Sequence, residues 1–383
     1  MNISLYIHIP FCRSKCDYCD FFSVPCGKKD ISDEYVSALC REIDTRCRSN
    51  NIEVIDTVYI GGGTPSLLNV SQLETISKTF RKYTKVPVSE FTVEVNPDDV
   101  TEELLAMFQK CGVTRLSCGV QAFEENVLSG VKRRSSGKTV VKALDVIKNN
   151  WKGIFSADII SALPGQTEES FLQEVKKLIS YKPEHISLYS LTIEDETPLG
   201  KAVLSNRILY DFDKADDMWL LGKKLLEKNG YKQYEVSNFC FAGYEAKHNM
   251  VYWQLKNYIG CGAGATGSRY GDDGVRFTNT ENISEYCSFW NSEGKTIEEA
   301  PGIEEKLSLE IQSFEFIMMG LRTLNGINLV EYKERFHREI PEKIKAVMHE
   351  WAKNKRAEYK AGLCFSLTSE GLLFLNEFLR QII

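Results

Sequence analysis

No stretch of the chain approaches the about eighteen consecutive apolar residues that a membrane-spanning helix demands. Its first ten residues, MNISLYIHIP, carry no basic cluster ahead of a long apolar run, so they do not read as a secretory signal. Positive charge is not in excess: 47 Lys and Arg stand against 53 Asp and Glu, a formal net charge of −6. That balance excludes a general nucleic-acid binder and a protein drawn to anionic membrane surfaces. Internal repeats at solenoid period and low-complexity segments are also missing. What these absences leave is a cytoplasmic globular chain without a transmembrane segment, and a composition of 43% hydrophobic and 26% charged residues agrees. At 383 residues, one large domain of roughly 200–250 residues with a smaller companion is expected.

Short β-branched, apolar runs recur at 3–9, 54–60, 90–95, 113–120, 153–160 and 184–191, and helix-period segments of about 10–16 residues lie between them. Strand alternating with helix is the pattern of parallel βαβ units, so the fold class is α/β with a partial (β/α)6 barrel. A further helix at 211–230 leads to a strand-like YEVSNF. The polar motifs all follow strands, at the end where β/α barrels carry their chemistry. The boundaries read as a core domain over 1–240, a connecting segment over 241–302 holding KHNMVYW and a glycine-rich IGCGAGATGS, and a C-terminal domain over 303–383. The last of these runs helix, turn, helix, short strand pair and helix, which is winged-helix-like. Its slight excess of basic residues over 331–360 reads as a solvated surface and not as a nucleic-acid site.

Nine of the twelve cysteines are scattered singly and read as small buried hydrophobes. The other three, Cys12, Cys16 and Cys19, form C-x3-C-x2-C directly after the first strand, and Phe21 stands where a fourth thiol could have followed. Clustered cysteines in a reducing compartment point to metal or catalysis. Three readings are open on the residues alone: a helix burying three thiols, a zinc site completed by His8 or Cys26, or a [4Fe–4S] cluster with one iron free of protein ligands. GGGTPS, residues 61–66, allows close backbone approach but is no phosphate loop, because no Gly-Lys-Ser/Thr follows.

CRSKCDYC resembles the signature of the radical S-adenosylmethionine (SAM) superfamily. In that family three cysteines hold a [4Fe–4S] cluster and the methionine end of SAM chelates the fourth iron. The resemblance implies that Cys12, Cys16 and Cys19 are the metal ligands. It further implies that Gly62, Gly63 and Thr64 meet the SAM ammonium, that Tyr6 and Tyr18 lie near the cofactor, and that Glu94, Gln121, Arg133 and Asp158 are polar SAM contacts. Neither Gly62 nor Asp158 is expected to touch the cysteine loop. YIHIPFC, GGGTPS, RLSCGVQAF and LPGQT resemble the oxygen-independent coproporphyrinogen III oxidase family along nearly the whole chain. That family's active oxidases carry a fourth cysteine at the position of Phe21, and HNMVYW matches the HNxxYW signature of related haem chaperones. The implied function is haem binding and delivery to an acceptor protein, with His248 at or near the iron and an electron donor serving the cluster; the alternative is a porphyrinogen oxidase. Two positions depart from the family pattern: Ala162 replaces a glycine before Leu-Pro, and Thr266 replaces a histidine.

Overall fold

The computed structural model describes residues 2–383. Six strands, β1 (Asn2–Ile9), β2 (Val54–Gly62), β3 (Glu90–Val95), β4 (Arg115–Gln121), β5 (Ile154–Ser161) and β6 (His185–Ser190), pair in parallel and in chain order. Helices Asp33–Ser49, Val70–Arg81, Glu102–Lys110, Gly137–Asn150 and Glu168–Ser180 cover the connections. Each begins on a capping side chain, Ser32, Asn69, Thr101, Ser136 or Thr167, that accepts a backbone N–H of the first turn. Such a cap is worth about 1 kcal/mol and fixes where each loop above the strand ends gives way to helix.

The sheet does not close. Beyond β1 it continues through the parallel strand Tyr258–Cys261 and the antiparallel strands Thr266–Arg269, Gly274–Asn279 and Gly302–Leu307. Beyond β6 it continues through the antiparallel Asn238–Cys240 and Lys232–Gln233. The result is the expected partial (β/α)6 barrel.

Alternation along the strands decides what the barrel can do. In β1, Ile3, Leu5, Ile7 and Ile9 join the apolar core, while Ser4, Tyr6 and His8 point the other way. Residues paired across parallel strands share a face, and the register carries this polar face around the barrel. Tyr6 lies beside Tyr59, Tyr59 beside Thr92, and Thr92 beside Arg115. Glu94 lies beside Ser117, Ser117 beside Ser156, Gly119 beside Asp158, and Asp158 beside Ser187. Most β/α barrels fill this space with branched apolar side chains. Here the apolar positions face the helices and the lumen is polar.

The segment 241–302 is less a connector than a part of the sheet: three strands come from residues 258–279, and Tyr286, Cys287 and Trp290 pack into the first core. KHNMVYW is a helix, Lys247–Trp253, and only the end of YEVSNF is strand. A second core is built from the C-terminal residues. There, helices Leu309–Gly320, Leu329–Phe336 and Glu342–Lys353 pack with a three-stranded sheet of Ile327–Asn328, Cys364–Leu367 and Ala357–Lys360, in that order. This is a winged-helix-like arrangement, closed by the helix Leu375–Ile382.

Candidate functional site at the barrel mouth

The cysteine loop leaves β1 at Pro10, which has no N–H to continue a ladder. It is held as a loop and not a helix. Phe11–Cys12 pairs with Val24–Pro25, Cys26 N–H donates to Cys12 O at 2.7 Å, and Cys19 N–H to Cys16 O at 3.2 Å. Asp17 N–H donates to Val131 O at 3.0 Å, and Leu199 N–H to Asp17 O at 2.9 Å, so the loop is tied to the segments after β4 and β6. The helical reading of the three thiols is thereby set aside.

All three cysteines are partly exposed. Burial pushes the Cys19 thiol up, and the charges of Cys16 and Cys12 push the same way, so the sulfurs lie close enough to feel one another. Thr64 Oγ1 donates to Cys12 Sγ at 3.4 Å and Arg133 Nη1 to Cys16 Sγ at 3.8 Å. Zinc finds no fourth partner in His8, whose Nε2–H donates to Phe22 O at 2.9 Å while Nδ1 accepts from Tyr6 Oη at 2.7 Å. Among the described residues no three His, Cys, Asp or Glu side chains converge as a single ion requires. A cubane asks less convergence, because each thiolate ligates a different iron. Three thiols on one loop, two of them receiving hydrogen bonds, suit it.

The glycine motif ends β2. Gly62 has φ +108°, and a Cβ there would stand 2.3 Å from the His8 ring; at Gly63 it would stand 2.6 Å from Phe11 O. Glycine is thus demanded by packing against the cysteine loop's own supports. Gly62 therefore does bear on that loop, through His8 and its bond to Phe22, and the expectation that it stands apart is corrected.

Across the mouth, Glu94 accepts from Gly62 N–H at 3.1 Å and from Tyr59 Oη at 2.6 Å. Burial lifts its pKa to about 7, with the Asp158 charge adding to the rise. Asp158 is lifted to about 6, mainly by burial, against hydrogen bonds from Ser187 and Ser117 and the charge of Arg133. Gln121 sits at a register shift with φ +66°, beside Arg133; a Cβ on Gly119 would meet both side chains within 3 Å. Arg133 also donates to Gly119 O and, at 3.3 Å, to Tyr18 Oη. Gln121 Oε1 and Arg133 Nε are buried without partners. Two half-buried acids, an unpartnered acceptor and an unpartnered donor match a ligand that brings an ammonium, hydroxyls and a polar heterocycle. SAM is such a ligand.

The structure therefore brings Cys12, Cys16, Cys19, Tyr6, Tyr18, Gly62, Gly63, Thr64, Glu94, Gln121, Arg133 and Asp158 to one end of the barrel. Tyr59, Ser117 and Ser187 join them and were missed by motif reading; the period-2 alternation of each strand was the signal that could have found them. Thr266 lies in the antiparallel extension, bonded to Thr278 Oγ1 at 2.8 Å.

His248 lies elsewhere. It is fully buried at the opposite end, where the strands begin. Its backbone N–H donates to Glu90 Oε1 at 3.0 Å, Nδ1 bonds Thr57 Oγ1 at 2.8 Å and Nε2 bonds Tyr252 Oη at 2.8 Å. The Thr57 proton is directed to Ser4, which makes Nδ1 the protonated nitrogen and leaves Nε2 to accept from Tyr252. Burial lowers the His248 pKa to about 3, so the ring is neutral. The i, i+4 pairing of His248 and Tyr252 is as expected, but neither nitrogen is open to an iron in this arrangement.

A partial (β/α)6 barrel with a three-cysteine loop at its mouth defines a radical SAM protein, and the family model described as "Radical SAM superfamily" matches residues 6–178. Within it, the chain belongs to the HemW haem chaperone family. It is 36% identical over 335 residues to the haem chaperone HemW of Lactococcus lactis, covering 87% of this chain and 85% of that protein. Against HemW of Bacillus subtilis it is 32% identical, with 98% and 97% covered, and against HemW of Escherichia coli 31%, with 98% and 97% covered. The solved structure of the Escherichia coli coproporphyrinogen III oxidase HemN shares the fold, with a TM-score of 0.82 over 99% of this chain and 89% of that one at 20% identity. No helix is long and apolar enough to cross a membrane among the described residues.

Proposed function

We propose that the chain is a haem chaperone that holds a [4Fe–4S] cluster on Cys12, Cys16 and Cys19, binds SAM across the strand ends, and passes haem to an acceptor protein. When bound, the cluster supplies an open iron for the amine and carboxylate of SAM, fed by an electron donor. The chain's part is positioning. Thr64 and Arg133 place hydrogen bonds on Cys12 and Cys16, which hold the two sulfurs in place. Glu94 and Asp158 offer carboxyls to the cationic and hydroxyl groups of SAM, and Gln121 and Arg133 offer the unpartnered atoms.

One observation carries the choice of chaperone over oxidase. Position 21 is a phenylalanine, 72% exposed beside the cysteine loop, with neither a thiol nor a proton to give. The test is anaerobic reconstitution followed by haem titration and a coproporphyrinogen assay. About four irons per chain are expected, lost on replacing any of the three cysteines by Ala and kept in Cys26→Ala, with a Soret band on adding haem. Time-dependent decarboxylation of coproporphyrinogen with SAM and a low-potential reductant would overturn the chaperone reading and promote the oxidase.

A further inference from the structure

Apolar side chains standing singly in water are ordinary, and gathered ones point to something that covers them. Among the described residues, six large apolar side chains are more than 60% exposed: Phe21 at 72%, Leu204 at 62%, Leu209 at 88%, Phe212 at 61%, Ile303 at 74% and the terminal Ile383 at 78%. Three of the six fall within 204–212, the segment that leaves β6 at the mouth end of the barrel. Ile303 stands on the far edge strand of the sheet, away from them in the strand order.

The segment is held from inside. Helix Pro198–Leu204 is tied to the cysteine loop, its Leu199 N–H donating to Asp17 O at 2.9 Å. Arg207 and Ile208 N–H then both donate to Ala202 O, at 2.9 and 3.2 Å, and Asn206 takes φ +55°, so the chain reverses and residues 207–209 return beside the end of that helix. Val203, Ile208 and Tyr210 pack against the first core, and Tyr210 Oη donates to Leu191 O at 3.4 Å. The Phe212 ring meets Tyr210 edge to face, with centroids 5.0 Å apart. With Ile208 and Tyr210 spent on the core, alternation along the extended 208–212 stretch turns Leu209 and Phe212 outward. Their exposure is built in and is not fraying.

Charge says what covers them. Arg207, in the same turn, is exposed; its Nε donates to Ser205 Oγ at 3.0 Å, and among the described residues no carboxylate pairs with its guanidinium. The neighbouring Lys201 is already taken by Glu196 at 3.1 Å. We propose that Leu204, Leu209 and Phe212 are the surface on which haem docks, its apolar ring against the three side chains and a propionate on Arg207, in a reading that rests on the haem-chaperone function. A guanidinium is always charged and matches carboxylate geometry, and an aromatic ring gives a flat macrocycle a large contact. Asp211, Asp213, Asp216 and Asp217 gather at the start of the next helix, which directs the propionate edge to Arg207. Three side chains offer at most a few hundred Å², short of the about 800 Å² per partner of a stable protein interface. The barrel lumen is polar and His248 is closed, so neither offers the ring an apolar bed. An open surface also suits a ligand that must be handed on, because one face of the ring stays free for the acceptor.

The test is a haem titration of the full chain, followed by Soret absorbance, for wild type, Leu209→Ser with Phe212→Ser, Arg207→Gln and Ile303→Ser, repeated with haem dimethyl ester. Removing two of the three apolar side chains should weaken haem binding about ten-fold or more. Arg207→Gln should weaken it by about three- to ten-fold and bind haem and ester alike, whereas wild type should bind the ester more weakly than haem. Ile303→Ser should bind haem as wild type does, and iron content and melting temperature should stay unchanged throughout, because these side chains stand in water. Unchanged haem affinity in the double variant overturns the surface and leaves the chaperone reading standing. An equal loss in Ile303→Ser also overturns it, as adsorption without a site. Equal binding of haem and ester by wild type overturns the Arg207 contact. A wild-type dimer that the double variant dissociates, with haem affinity intact, gives the surface to a second copy instead. No spectral change with haem in wild type overturns both surface and chaperone reading. Should the double variant fail to fold, Leu209→Ser alone decides the question.

Discussion

The two ends of the barrel are built from the same kind of strand and differ in how far their charged groups are paired. At the floor, Arg115 and Glu90, each 2% exposed, form an ion pair at 2.9 Å. Arg115 also donates to Ser156 Oγ and to the carbonyls of Tyr244 and Glu245, while Glu90 accepts from the backbone of Lys247 and His248. At the mouth, Gln121 and Arg133 keep unpartnered atoms, and Glu94 and Asp158 are half-buried acids with raised pKa values. A polar group whose bonds are all made within the chain stabilises that chain. One left over in the interior needs a partner that the chain does not supply, and at the mouth that partner can be the ligand. The difference teaches where to expect folding defects and where to expect binding defects.

The floor is broken hardest by Arg115→Met. It strands Glu90 as a buried charge, and the expected loss is about 3–5 kcal/mol by urea unfolding. The double variant with Glu90→Gln should regain much of it. A loss under about 1 kcal/mol would mean that the floor is not the structural end.

His248→Ala comes next. Removing a buried ring that bonds Thr57 and Tyr252 should cost about 2–4 kcal/mol, from a cavity and a Tyr252 hydroxyl left without its acceptor. In the fraction that stays folded, the Soret position should match wild type; a shifted band would return the iron-ligand role to His248. There is also a pH signature. The His248 pKa is lowered to about 3 from 6.5, so the neutral ring contributes stability above pH 6.5 that is lost as pH falls toward 3. His248→Gln should flatten that acid limb.

At the mouth the same kind of change should act on ligand, not on fold. Asp158→Ala is expected to weaken SAM by about ten-fold or more, with iron content intact and no loss of stability. With pKa values of about 6 for Asp158 and about 7 for Glu94, both acids gain charge as pH rises through that range. The affinity for SAM, measured by calorimetry, should therefore climb across it, while the ligand-free fold loses stability as pH rises from about 4 to about 7, where its acids still hold protons that the unfolded chain has released. Unchanged SAM affinity in Asp158→Ala would refute the placement of the ligand.

Much of this was legible in one dimension, and the misses have physical causes. The six strands stand within two residues of where β-branched runs placed them, because each run lies between capped helices and apolar alternation marks a strand covered by helices on one face. The three cysteines were legible as a loop because Pro10 and the intervening aspartates disfavour helix. His248 was not, because whether a histidine faces iron or a threonine depends on where a helix of seven residues docks, and nothing local encodes that the partner is Thr57, 191 positions away in sequence.

The smallest effect tests the mouth's rim, at Ala162. This residue departs from the family's glycine, and the structure shows what the departure means: Ala162 has φ +63°, in the left-handed region where a Cβ crowds the following carbonyl. It holds that conformation because its N–H donates to Met218 Sδ at 3.2 Å and Leu163 N–H is taken by Gln166 Oε1 at 2.8 Å, which together fix the turn after β5. Ala162→Gly removes the crowding but gives the unfolded chain more freedom, and the two terms oppose. Relief of a left-handed alanine is the larger, about 1–2 kcal/mol against several tenths, so a net gain of about 0.5–1 kcal/mol in unfolding free energy is expected. SAM affinity should not move, because Ala162 lies one residue beyond the end of β5 and four past Asp158. A loss of stability in Ala162→Gly would show that the methyl group's packing outweighs the backbone strain.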